Sequence, residues 1–246
     1  MGYFLILYVM LLFGSFWETT NGAATPLKNT TRLQQRIRNG QDIDISNAKF
    51  YVFFTCSGVI CGGTILSLTR VVTAAHCTIG CDPKNIQMYM GKNSWDEQGE
   101  RYLADNLFRH PKYDPAQGFQ YDIAVVYVSG QIRPNDKVDR TSYLLYDVPI
   151  GSTVRSFGYG GVTGGGFAKK LQVSYNVVQD YENNLYRVES SRSGTAGGDS
   201  GGPCTLDSYL ASVIVGSVTV NGNHVYDVSV NIARPEIVSF IRSHGL

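Results

Sequence analysis

From Phe50 onward the chain alternates short apolar or alternating runs with breaker residues. Residues 51–55, 70–73, 86–90, 123–128, 153–157 and 171–177 are rich in Val, Ile, Tyr and Thr, and Gly, Pro, Asn and Asp punctuate them. β-Branched and aromatic side chains suit a pleated, half-buried surface, so each run predicts a strand. Many short strands between turn signals predict an all-β sandwich or barrel. One helix is predicted, at the end. Pro235 suits a first helical turn, Ile237, Val238, Phe240 and Ile241 make one apolar face, and Gly245 suits a C-terminal cap. The polar stretch 129–139, with Pro134, predicts a crossing between two lobes, and residues 158–166, six glycines in nine positions, predict a mobile loop.

The chain begins MGYFLILYVMLLFGSFWETTNGAA, with an uncharged apolar run over 3–13 followed by the small residues Gly22, Ala23 and Ala24. This pattern predicts a signal peptide over residues 1–22 and a secreted, extracellular product. A membrane anchor is the rival, but Met1 to Trp17 is short for a span before Glu18. The 246 residues are 43% hydrophobic and 17% charged, which suits one globular unit or two small lobes with an ample core. A net charge of +1 gives no electrostatic reason to expect nucleic acid as a partner. Five cysteines in a secreted chain invite disulfides, yet five is odd. Cys56, Cys61, Cys77 and Cys81 crowd together while Cys204 stands alone, and a zinc cluster is the competing reading for the four.

Three short motifs carry candidate chemistry. Gly197-Gly198-Asp199-Ser200-Gly201-Gly202-Pro203 surrounds one Asp-Ser pair with glycines. Such a stretch is either a polar surface turn or the seat of a nucleophile whose neighbouring N–H groups stay open to a reacting oxygen. Thr73-Ala74-Ala75-His76-Cys77 closes an apolar strand, and Tyr121-Asp122-Ile123-Ala124-Val125-Val126 puts an acid just before a buried run. Taken singly, His76 reads as a structural histidine and Asp122 as a turn or capping residue. Their order is more specific: His76, Asp122 and a glycine-flanked Ser200 follow the His…Asp…Ser order of a known triad arrangement.

The chain resembles the trypsin/chymotrypsin-like serine proteases through "TAAHC" (73–77), "YDIAVV" (121–126), "GDSGGP" (198–203), "CGGTIL" (61–66) and "FGYG" (157–160), over Ile37 to Leu246. The resemblance implies two antiparallel six-stranded β-barrels with a C-terminal helix, and a serine-type endopeptidase domain over 37–246. It implies His76 as general base, Asp122 as its orienting partner, Ser200 as nucleophile, and the N–H groups of Gly198 and Ser200 as oxyanion donors. It pairs Cys61 with Cys77, beside which a Cys56–Cys81 bridge is plausible. The family's other bridges are missing here, so Cys204 is read as a buried free thiol or a site of intermolecular bridging.

Arg36-Ile37-Arg38-Asn39-Gly40 resembles an activation site. Cleavage after Arg36 would remove a propeptide over 23–36, and the Ile37 amine would pair with Asp199. Arg38 stands where the family commonly carries Val. At the substrate pocket, Gly194 stands where trypsin-like members carry an acid, so no preference for Lys or Arg is expected. His224-Val225-Tyr226 is aligned with the pocket's back wall. His224 there is read either as filling space, for small or apolar residues, or as a cation recruiting acidic ones. Ser217 aligns loosely with the serine beneath the family's acid. No cofactor or metal is expected. The implied partners of a monomer are protein or peptide substrates, an activating protease and protein inhibitors, with no nucleic acid and no membrane. The alternative function is a weak or inactive homologue serving as a binding module or toxin.

Overall fold

The computed structural model describes residues 40–161, 167–189, 195, 197–220 and 223–246, with backbone alone for 219, 220 and 223–225. The expected signal peptide, propeptide, Arg36, Ile37, Arg38 and Gly194 lie outside the described residues, as does the side chain of His224.

Six antiparallel strands close the first barrel: β2 (Tyr51–Cys56), β3 (Val59–Ser67), β4 (Arg70–Thr73), β5 (Ile86–Met90), β6 (Glu100–Arg109) and β7 (Ala124–Val128), in the order β2-β3-β4-β7-β6-β5. The second is built from β8 (Thr153–Gly158), β9 (Gln172–Glu182), β10 (Leu185–Glu189), β11 (Pro203–Leu206), β12 (Tyr209–Val220) and β13 (Asn223–Asn231). Because β8 pairs with both β9 and β11, these six also close, and the short β1 (Gln41–Asp42) adds to β9. The fold is therefore the expected pair of six-stranded antiparallel barrels.

The apolar runs explain which faces are covered. In β2, alternate residues point to opposite faces. Val52, Phe54 and Cys56 join the first barrel's core, while Tyr51 and Phe53 pack with Phe157 and Tyr159 of the second barrel. Phe50 meets Phe157 and Tyr51 meets Tyr159 edge-on, each with ring centroids 5.6 Å apart. A strand buried on both faces reads as a continuous apolar run, and β2 does.

Helix α1 (Pro235–Ser243) starts with proline in its first turn and buries Ile237, Phe240 and Ile241, with Val238 half-buried. Gly245, at φ +77°, ends it, its N–H donating to Arg242 O at 3.0 Å. The stretch 129–139 stays on the first barrel: Ile132 N–H donates to Leu68 O at 2.8 Å, and Ile132 and Val138 are buried. The passage to the second barrel comes later, where Tyr143 bridges to Leu210 and Leu144 N–H donates to Leu210 O at 2.9 Å.

Candidate active site

Strand β4 ends at Thr73, and the fully buried Ala74 and Ala75 lead into a 3₁₀ turn over His76–Thr78. Disulfides fasten this turn on both sides. Cys61–Cys77 ties it to β3, and Cys56–Cys81 ties the following residues to the end of β2. The sulfurs of Cys61 and Cys77 lie within 4.8 Å of a His76 nitrogen, but a disulfide offers no thiolate to a metal. Cys204 is a buried free thiol.

His76 is held by one carboxylate at two points. Asp122 Oδ2 lies 2.6 Å from His76 Nδ1, and Asp122 Oδ1 accepts from the His76 backbone N–H at 2.8 Å. Asp122 is 1% exposed, whereas the His76 side chain is 32% exposed. A buried carboxylate costs free energy unless its lone pairs are engaged, and here both oxygens are. The chain reaches this position through a kink. Tyr121 has φ +59°, a left-handed conformation disfavoured for a bulky residue. Its ring stacks on His110 at 4.7 Å, and its carbonyl accepts from Ile123 N–H at 2.7 Å. Together these contacts turn Asp122 out of the line of β7 and toward His76.

Ser200 sits in the turn between the glycines and β11. Its carbonyl accepts from Gly62 N–H of β3 at 2.7 Å, while Gly201 N–H donates to Ile214 O of β12 at 2.6 Å. The turn is thus stitched to both barrels. Gly198 takes φ +95°, and a Cβ there would lie 2.9 Å from the Phe167 ring, so this position requires glycine. Among the described residues, neither Gly198 N–H nor Ser200 N–H donates to a protein acceptor. The neighbouring Asp199 is fully buried and accepts from Gly160 N–H at 2.8 Å through Oδ1. A Cβ on Gly158 would come within 1.7 Å of that oxygen, which accounts for the first glycine of "FGYG".

His76, Asp122, Ser200, Thr195, Val215 and Ser217 line one cavity of about 400 Å³. Within it Ser200 Oγ donates to Val215 O at 3.5 Å, and His76 Nε2 lies 3.6 Å from Cys77 Sγ. Among the described residues no hydrogen bond joins Ser200 Oγ to the imidazole. The structure therefore brings the three predicted residues to one cavity, with the His–Asp contact closed and the serine turned toward β12.

A family model described as Trypsin matches residues 37–241. The chain belongs to the trypsin family. It is a serine-type endopeptidase, a hydrolase. Trypsin zeta of Drosophila melanogaster is 28% identical over 211 residues, covering 73% of this chain and 75% of that protein. Trypsin 5G1 of Aedes aegypti is 26% identical over 235 residues, covering 84% and 87% respectively. The crystal structure of the scabies mite inactivated protease paralogue S-D1 shares the fold, with a TM-score of 0.76 at 19% identity over 85% of this chain and 97% of that one.

One buried acid bonded to the lining residue Thr195 of this trypsin-family cavity escaped the sequence reading. Asp227 of β13 is 1% exposed, and its Oδ2 accepts from Thr195 N–H at 2.7 Å. The β12–β13 register sets Asp227 opposite Ser217, which lines the cavity, and sets His224 opposite Thr219, further along the hairpin. An acid inside the alternating run "VYDVSVN" was the available signal.

Proposed function

We propose that this chain is a secreted endopeptidase, made as a zymogen, that hydrolyses peptide bonds through an acyl-enzyme on Ser200. The observation that carries the reading is the double contact between Asp122 and His76 at the mouth of a cavity shared with Ser200. With Asp122 accepting at Nδ1, the imidazole keeps its lone pair on Nε2, where it can take a proton. Ser200 Oγ swings from the Val215 carbonyl toward Nε2, gives up its proton there, and attacks the substrate carbonyl carbon. The C=O π electrons move onto oxygen, and that oxyanion accepts from the N–H groups of Gly198 and Ser200, a contribution of about 10²–10³ in rate per donor. His76 then passes the proton to the leaving amine as the C–N bond breaks. Water repeats the sequence on the ester and frees Ser200.

The zymogen part of the reading rests on Arg36-Ile37 and on Asp199. Removal of residues 23–36 frees the Ile37 amine, and its pairing with the buried Asp199 reorganises the turn that carries Gly198 and Ser200. Such a buried pair is a sensitive switch, because loss of one partner strands the other charge. Residues 1–22 direct secretion, and the substrates are proteins or peptides that reach the cleft. Among the described residues no helix is long and apolar enough to cross a membrane.

The test is covalent labelling. After limited trypsin treatment, N-terminal sequencing should read Ile37 onward and activity should rise. A serine-directed phosphonate should then label Ser200, and Ser200→Ala should abolish the label. Correctly processed protein that is never labelled would favour the binding-module alternative, and full activity in a chain retaining residues 23–36 would refute the zymogen.

A further inference from the structure

Three neighbouring strand ends surround the His76–Asp122 pair. Ala124, the first residue of β7, pairs with Thr73, the last of β4, on one side and with Arg109, the last of β6, on the other. His76 lies just beyond β4 and Asp122 just before β7. Strand β6 supplies neither residue, yet Arg109 reaches past the start of β7 to the turn that His76 opens. Its Nε donates to Thr78 Oγ1 at 2.8 Å, and its Nη2 donates to the Thr78 carbonyl. Thr78 is the fully buried last residue of that 3₁₀ turn. Its hydroxyl donates in turn to Ala75 O at 2.7 Å, alongside its own N–H at 3.0 Å. A guanidinium that meets two acceptors on one residue fixes orientation as well as distance.

The next residue, His110, holds the other half of the pair. Its N–H donates to Ile123 O at 2.9 Å, one residue after Asp122, and its ring stacks at 4.7 Å on Tyr121, one residue before. The ring is itself fixed. Phe240 of α1 meets it edge-on at 4.9 Å, and Nδ1 accepts from Lys112 N–H at 3.2 Å. A tyrosine at φ +59° persists only where its surroundings hold it there, and the stack on His110 is such a support.

We infer that, resting on the Ser200 endopeptidase reading, Arg109 and His110 form one brace that sets the distance between the Asp122 carboxylate and the His76 ring. Two residues joined by one peptide bond grip the His76 turn with one side chain and the Asp122 segment with the other. Both are positioning residues, and neither lines the cavity that holds Ser200. Misplacing a reacting group by about 1 Å can cost about 10²-fold in rate. Loss of the brace therefore acts on kcat and leaves substrate binding nearly unchanged.

The experiment uses processed protein, with active sites counted by phosphonate labelling of Ser200. Arg109→Met keeps an unbranched stem and removes both donors. It should lower kcat on a peptide amide by at least about tenfold with KM within about threefold of the wild type, and His110→Leu should act likewise. The proton between His76 Nδ1 and Asp122 Oδ2 resonates far downfield in 1H NMR, because the bond is short and its acceptor charged, and Arg109→Met should move it upfield. Phe108→Leu is the control, since that neighbouring ring packs on Tyr127 and His244 instead. It should lower the melting temperature and keep kcat within about twofold. An unchanged kcat or an unmoved resonance in Arg109→Met, a loss confined to KM, or an equal loss of kcat in Phe108→Leu overturns the brace. Should His110→Leu not fold, Arg109→Met decides alone, because Arg109 is exposed. Wild type that phosphonate never labels fails at the earlier step, the endopeptidase reading itself.

Discussion

Replacing Asp122 by Asn keeps the shape of the side chain and removes one acceptor. In the wild type both oxygens accept from His76, Oδ1 from the backbone N–H at 2.8 Å and Oδ2 from the Nδ1 side at 2.6 Å. An amide has one oxygen and one NH2, so it can serve only one of these two donors. If the oxygen faces Nδ1, the NH2 opposes the backbone N–H in a buried site, a clash of donors worth about 1–3 kcal/mol. The other arrangement relieves it: the oxygen keeps the backbone N–H, and the NH2 donates to Nδ1. The ring proton must then move to Nε2, which can no longer accept the proton of Ser200 when its hydroxyl swings over. We expect kcat to fall about 10⁴-fold, the size of a wrong-tautomer defect in triads of this kind, equivalent to about 5 kcal/mol at 1.36 kcal/mol per tenfold. The assay is steady-state hydrolysis by processed protein, with thermal unfolding and disulfide mapping as controls for the fold. A variant that folds with both disulfides intact and keeps kcat within tenfold of the wild type would refute this account of His76.

The remaining predictions concern stability and the thiol. Replacing Cys61 and Cys77 together by Ser opens a bridge with sequence separation 16 and should cost about 3 kcal/mol in denaturant unfolding; a loss below about 1 kcal/mol would contradict it. Cys204 is buried, and burial pushes its thiol pKa up, so a thiol reagent should find no reactive group in the native protein and one after denaturation; reaction under native conditions would contradict this. Burial lowers the pKa of His110 and of His244, the latter helped by Arg70, so the unfolded chain binds protons first as pH falls through about 6.5. Stability should therefore decline between pH 7.5 and 5.5, and His244→Gln should flatten part of the slope; a melting temperature unchanged over that range would show that neither imidazole is held neutral by the fold.

Much of the fold was legible because burial leaves a periodic trace. Strands β2, β4 and β5 coincide with their apolar runs to within a residue, since each buries most of its length. Strand β6 left no such trace. Ala104 is its one buried residue, with Tyr102 and Leu107 only partly buried against the core, and ladders to β5 and β7 hold the strand along its length. The second barrel's interior hides from an apolar search for another reason. Ser156, Ser174 and Asn176 pack there with hydrogen bonds among themselves, and Ser212 bonds Ser229, so polar residues occupy core positions.

At the site, the order His76, Asp122, Ser200 and the surrounding glycines could be read directly, because they need particular residue types at fixed places. Asp227 could not. Its position depends on the pairing of β12 with β13, which shifts register between Ile214 and Gly216 and again between Val218 and Thr219. The left-handed Tyr121 was equally hidden, since nothing in a tyrosine announces a positive φ; the stacked His110 that supports it is eleven residues upstream.

The central claim is that Ser200 carries the acyl group during turnover. The direct measurement is rapid acid quenching of processed protein with an ester substrate, followed by peptide mass spectrometry. The account predicts that the peptide containing Ser200 gains the mass of the acyl group, that the gain rises before steady state, and that it is absent in Ser200→Ala. Turnover with no acylated Ser200 peptide at any quench time, or with the acyl group on another residue, would contradict it.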